Sequence, residues 1–311
     1  MNFKGMAMNV LIFTTLALLT IPADSVMAKP FGDVMEHVGL EGIINWTQGY
    51  LEAKGTGIPP EKYEKFYGKP QARSLAFRAA QLAAHQNLLE VSRAVRIHST
   101  FMVKDSMGSK KEVLDQVESM AKGAQMVHRE YLSDGTVEVT LRMPLLGGFT
   151  QLFLPPEFRT VPDVKAVSSP KETEVAAQNQ PVGSPSQKPE ETLSKPGSQV
   201  FTGMVVDARG IGVNPAMAPN ILDEDGREVF GSTYVSREFA VHQGMAGYAK
   251  DMTAAREDKR VAGKPLTVKG VKTEGQGKSN VIISKADADL IRGASENLTL
   301  LKQCRVIIVM E

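Results

Sequence analysis

The hydrophobic pattern changes period several times along the chain, and each change predicts an element. In "GIINWTQGYLEAKGTGIPP" Ile44 and Trp46 stand two apart, which predicts one extended segment ended by Gly and Pro. In "KPQARSLAFRAAQLAAHQNLLEVSRAV" the period lengthens: Leu75, Ala79, Leu82, Ala83 and Leu89 recur at helical spacing. Its alanines favour helix and allow close packing on a sheet. Val95, Ile97, Ser99, Phe101 and Val103 then alternate as in a half-buried strand. "GSKKEVLDQVESMAKG" predicts a second amphipathic helix, with Val113, Val117 and Met120 inward and Ser109 as N-cap. "AQMVHREYLSDGTVEVTLRMPL" predicts a hairpin turning at "SDG", and "LLGGFTQLFLPP" a short helix or an apolar lid. The order β-α-β-α-β-β gives an antiparallel sheet with two helices on one face.

A composition break follows. Residues 156–199 are rich in Pro, Ser, Glu, Lys and Gln and nearly free of aromatics, too little apolar surface to offset the entropy of ordering them. They are read as a flexible linker between a first domain at 29–155 and a second at 200–311.

The second domain predicts a separate α+β unit. "VFTGMVVDARG" reads as a strand, "NILDEDGREVFGS" as a hairpin, and "YVSREFAVHQGMAGYAKDMTAAR" as one helix with Phe239, Met245, Tyr248, Ala249 and Met252 near one face. Gly244 and Gly247 lower that helix's propensity. "KPLTVKGVKTEG" and "SNVIIS" read as strands. "SKADADLIRGASENLTLL" reads as a helix opened by Ser284 with Asp287 three residues on, and "CRVIIVME" as a terminal strand apolar enough to be central. The fold class is α+β, two small domains.

The N-terminus changes the expected location. Lys4 precedes an apolar run from Val10 to Ile21, and Val26-Met27-Ala28 supplies compact residues before a break, the pattern of a secretory signal peptide cleaved after Ala28. The run is about a dozen residues, short of the roughly 20 that a spanning helix needs, and no later run could span a bilayer. A soluble periplasmic protein is expected. The one cysteine, Cys304, lies far from this signal, which rules out N-terminal acylation, an internal disulfide and a cysteine zinc site. In "KQCRVIIVME" it reads as a buried structural thiol. Among 311 residues, 36 Lys+Arg stand interspersed with 35 Asp+Glu, without the basic stripe that nucleic acid requires.

With the elements in place, a family resemblance emerges. The segments "GYLEAKGTG", "RAAQLAAHQNLLE" and "VRIHSTFMVKD" and the hairpin "DGTVEVTLRMPL" together resemble the LPP20-like lipoprotein family, which is also similar to the N-terminal domain of the flagellar assembly protein FlgT. The resemblance covers about residues 43–153 and none of the second domain. It implies an envelope protein without a catalytic centre, some relatives being tied to flagellar outer rings. The absent acylation cysteine favours the soluble, FlgT-like arrangement.

Candidate chemistry is sparse. His37, His85, His98, His128 and His242 show no H-x-x-x-H or H-E-x-x-H spacing. G-x-S-x-G is missing, and "ARGIGVNP" lacks the third glycine of a dinucleotide loop and the Lys-Ser/Thr of a P-loop. In "DEDGREVFG", Asp223 and Asp225 begin a calcium-loop pattern, but the third Asp is missing and Glu228 comes too early; Asp225-Gly226 fits a tight hairpin turn better. Asp207 and Arg209, two apart on a strand, share a face, where they form either a fixing ion pair or a polar surface for a partner.

The residues therefore predict no catalytic, cofactor or metal set. They offer one candidate interaction or ligand surface: Asp207, Arg209, Asp223, Asp225 and Arg227. The leading expectation is a non-enzymatic, exported envelope protein working through protein–protein contacts in flagellar or other outer-membrane-associated assembly, its partners being envelope, basal-body or outer-membrane components. The alternative is a periplasmic enzyme or ligand-binding protein, which requires Asp207, Arg209, Asp223, Asp225 and His242 to converge in one pocket. A carbohydrate-binding module would need an aromatic platform, and Trp46 is the sole tryptophan, expected in the core.

Overall fold

A computed structural model describes residues 32–61, 65, 68–154 and 199–311. The signal peptide expected at 1–28 and nearly all of the linker expected at 156–199 lie outside the described residues. The described residues fall within one compact unit.

The first module is a five-stranded antiparallel sheet in the order β1-β2-β3-β7-β6. Its strands are β1 (Met35–Val38), β2 (Gly42–Asn45), β3 (Tyr50–Gly57), β6 (Gln125–Tyr131) and β7 (Val137–Pro144). The long helix α1 (Lys69–Ala94) lies across β3 and β7. It buries Ala72, Ala76, Ala80, Ala84 and Leu88, a stripe at four-residue spacing. The strand beneath answers with glycines. A Cβ on Gly55 would stand 2.1 Å from the Ala84 backbone nitrogen, and one on Gly57 would stand 2.0 Å from the Ala76 carbonyl oxygen. Helix and strand backbones thus nearly touch, an approach that only Gly against Ala permits.

Three sequence expectations need correction here. "GIINWTQGYLEAKGTG" is a hairpin, β2 and β3, reversing where the buried Asn45 side chain accepts from the Gln48 amide at 2.8 Å and Gly49 takes φ 71°. The segment expected as one strand at 95–103 is a two-stranded hairpin, β4 (Arg96–His98) with β5 (Phe101–Met102). Its alternation survives as burial, since Val95, Ile97, Ser99 and Val103 are all buried. Ser109 closes helix α2 (Val103–Ser109), where its hydroxyl donates to the Asp105 carbonyl; the next helix, α3 (Lys111–Lys122), is preceded by Lys110. Val117 is inward on α3 as expected, and the segment after β7 forms the short helix α4 (Gly148–Phe153).

The second module is a mixed seven-stranded sheet in the order β10-β9-β13-β12-β8-β14-β11. Its strands are β8 (Met204–Asp207), β9 (Ile221–Asp223), β10 (Glu228–Phe230), β11 (Gly247–Ala249), β12 (Leu266–Glu274), β13 (Asn280–Ile283) and β14 (Val306–Val309). Strand β14 is interior, between β8 and β11, and all four of its residues are buried. The single helix expected at 234–256 is instead α5 (Arg237–Gln243), strand β11 and α6 (Met252–Glu257). Gly244 at φ 79° ends α5, so Met245 enters the core from a bend and Tyr248 from strand β11. The last helical region is likewise two helices, α7 (Lys285–Arg292) and α8 (Ser295–Lys302). Ser284 caps α7 as expected, accepting from the Asp287 amide at 3.1 Å.

The mixed α+β class is as the patterns imply. One apolar core runs without a break from Ile44, Leu88 and Val139 of the first module to Val206, Ile221 and Ile308 of the second. A smaller cluster, Val205, Ala255, Val261, Ile307 and Val309, fills the other face of the seven-stranded sheet beneath α6. Among the described residues, no helix is long and apolar enough to cross a membrane.

Candidate functional site

The charged residues picked out by the sequence form two separate clusters. At the C-terminal end of β8, Arg209 grips Asp207 through both ends of its fork, with Nε and Nη2 each 2.8 Å from a carboxylate oxygen. This bond holds the Asp207 carboxyl below its ordinary range. Gly210, at φ 79°, turns the chain so that its amide donates to the Glu311 side chain at 3.0 Å.

The second cluster sits at the β9–β10 turn. The Asp223 side chain is fully buried. Its Oδ1 accepts from the amides of Asp225 (3.0 Å) and Arg227 (2.9 Å), and its Oδ2 from Arg227 Nε (3.0 Å) and Arg292 Nη1 (2.8 Å). Burial alone would push this carboxyl up. The Arg292 bond, the Arg227 amide and the two guanidinium charges outweigh it and hold the carboxyl at about 2. Asp225 pairs with Arg227 (2.9 Å) and Lys285 (3.1 Å). Gly226 takes φ 77°, so the "DEDG" segment is the hairpin turn its spacing predicted.

Sheet topology keeps the two clusters apart. Strand β8 is parallel to β12, β12 antiparallel to β13, and β13 parallel to β9. Asp207 and Asp223 end strands that run in opposite directions, so they lie at opposite ends of the sheet. His242 is on the exposed side of α5, with neither cluster among its hydrogen-bond partners. The convergence of these five residues that an active or ligand site would need does not occur.

The structure instead gathers side chains at the seam between the two sheets. Thr47 Oγ1 accepts from the Val34 amide at 2.8 Å and donates to the Tyr248 carbonyl at 2.9 Å, reaching 201 residues along the chain. The Trp46 and Tyr248 rings meet edge to face at 5.9 Å, and both are buried. The Tyr248 hydroxyl donates to the Ala216 carbonyl (2.7 Å) and accepts from the Ala216 amide (2.9 Å); burial pushes it far above the usual phenol range. The β4 backbone extends the seam, with the amides of Met217 and Ala218 donating to the carbonyls of Arg96 and Ile97 at 2.9 and 2.7 Å. Here lies a cavity of about 90 Å³, walled by Trp46, Leu146, Met217, Tyr248 and Arg260.

A wider groove of about 630 Å³ opens on the first module between β3, β7 and the C-terminal end of α3, lined by Tyr50, Met120, Arg142, Met143, Leu146 and Phe149. Arg142 lies 4.0 Å from the centre of the Tyr50 ring and pairs with Glu52 at 2.7 Å.

Sequence reasoning missed the seam because the bonds that cross between the two modules join positions more than a hundred residues apart, which no local period reveals. The one available signal was composition: the sole tryptophan followed by Thr-Gln-Gly, a polar turn on an apolar strand. Trp46 itself is in the core, as expected.

The fold and seam define a two-sheet α+β protein whose modules share one core. Its second module, residues 203–311, is similar to the family described as Treponema pallidum Tp0624, second domain. The match leaves the first module outside it. No curated protein matches the chain.

Proposed function

We propose that the protein is an exported, non-enzymatic envelope component that acts through protein–protein contacts in flagellar or other outer-membrane-associated assembly. One observation carries this reading: the acidic side chains that sequence analysis offered for chemistry, Asp207, Asp223 and Asp225, are all tied into ion pairs at turns and strand ends. Such pairs fix a surface rather than supply a free acid or base. The N-terminal export pattern and the resemblance of residues 43–153 to LPP20-like envelope proteins support it further. The groove beside Tyr50 and Arg142 has the aromatic, Met and Arg composition typical of contact surfaces. Crosslinking in cells, followed by recovery from envelope fractions, tests the proposal. The expected result is a discrete adduct with an envelope protein; recovery of the chain from the cytoplasm overturns it.

A further inference from the structure

Arg260 stands out in the seam cavity because its charge has no anionic partner among the described residues. A guanidinium carries five N–H donors. Nη1 spends two on the carbonyls of Gly244 (3.0 Å) and Cys304 (2.9 Å), and Nη2 spends one on the carbonyl of Gln243. These oxygens belong to the C-terminal end of α5 and the turn after α8, where helix dipoles favour a cation. Dipoles orient the group without cancelling its full charge. The nearby carboxylate, Asp258, accepts from the Arg260 backbone amide at 2.9 Å instead of the guanidinium. Two donors remain, on Nε and Nη2, the pair that can hold both oxygens of one carboxylate. Gly247 faces this edge, where a Cβ would stand only 3.2 Å from Nε, so the bare glycine leaves the approach open.

We infer that the seam cavity binds a small carboxylate, its two oxygens on the free donors of Arg260 and its carbon stem against Trp46 and Met217. At about 90 Å³ the cavity holds the volume of about three waters. That admits an acetate-sized group, supplied either by a free acid or by the terminal carboxylate of a peptide, and excludes an aromatic acid. The site does not depend on the assembly role proposed above.

The test measures the thermal midpoint of the purified protein against rising acetate, glycylglycine, acetamide and sodium chloride, at constant ionic strength. A saturable rise with acetate or glycylglycine, absent with acetamide and chloride, is expected. A stronger response to glycylglycine assigns the carboxylate to a chain end, and a stronger response to acetate to a free acid. Gly247→Ala places a methyl group over Nε and abolishes the rise while the protein stays folded; Arg260→Lys keeps the charge, loses the paired donors and weakens binding at least tenfold. No saturable rise with either carboxylate, an equal rise with acetamide, or an unchanged response in both variants overturns the inference.

Discussion

Replacing Gly55 by alanine adds one methyl group and strikes the closest packing in the first module. The new Cβ would lie 2.1 Å from the Ala84 nitrogen, 2.3 Å from the Ala80 oxygen and 2.7 Å from the Ala84 Cα. All three are backbone atoms of α1, so no side chain can rotate away. Restoring ordinary contact requires α1 to retreat from β3 by about 1.3 Å. That retreat loosens the whole stripe from Ala76 to Leu88, each member of which is fully buried. Overpacking costs about 1–3 kcal/mol in general, and a rigid obstacle puts this case at about 3 kcal/mol. For a protein of this size the thermal midpoint should fall by roughly 5–6 °C. Circular dichroism during heating reads the change. Gly108 of α2 supplies the control: a Cβ there meets nothing within 4 Å, so Gly108→Ala gains helix propensity and shifts the midpoint slightly upward. If Gly55→Ala melted within about 1 °C of the wild type, the proposed backbone-to-backbone contact would be wrong.

The Asp223 cluster predicts an acid limb. Because its folded carboxyl is depressed to about 2 from an ordinary 3.8, its stabilisation is complete above about pH 4 and is lost as pH falls toward 2. Urea unfolding across that window should show a loss that Asp223→Asn lacks, the variant being less stable than wild type at pH 7. Tyr248→Phe leaves the buried Ala216 amide and carbonyl without their partner, which costs about 1–3 kcal/mol; hydrogen exchange at the amides of Ala216, Met217 and Ala218 should accelerate. Cys304 is buried and its thiol is pushed up to about 12, so a thiol reagent should label it only after unfolding.

Elements defined by local chemistry were legible in the chain. The "SDG" and "DEDG" turns, the Ser284 cap and the alanine helix each rest on a few neighbouring residues, and each forms where the pattern puts it. Reversals without a loud turn signal were not legible. The β2–β3 turn uses a buried Asn45 and a single glycine, and the β4–β5 turn uses Ser99-Thr100, with Ser99 held by the Glu274 carbonyl at 3.2 Å from the other module. Gly244 and Gly247 did signal a weak helix at 234–256, yet the replacement by β11 depends on pairing with β14, sixty residues away. Cys304 illustrates the same limit. It occupies the left-handed position after α8 at φ 56°, where the Cys304 amide bonds the Leu301 carbonyl and the Arg305 amide the Leu300 carbonyl, a helix stop usually given to glycine. Its burial was readable, but its backbone role was not. The charged site residues were found individually; their separation follows from strand directions that sequence order does not reveal.

Action by protein contact in the envelope is open to a direct test by site-specific photocrosslinking in cells. A photoreactive residue at Met120, in the groove, should give one discrete heavier species in the envelope fraction, while the same residue at Asp207 or Asp225, inside the ion pairs, should give none. A chain that fractionates with the cytoplasm, or one that crosslinks to nothing from the groove, would contradict the claim.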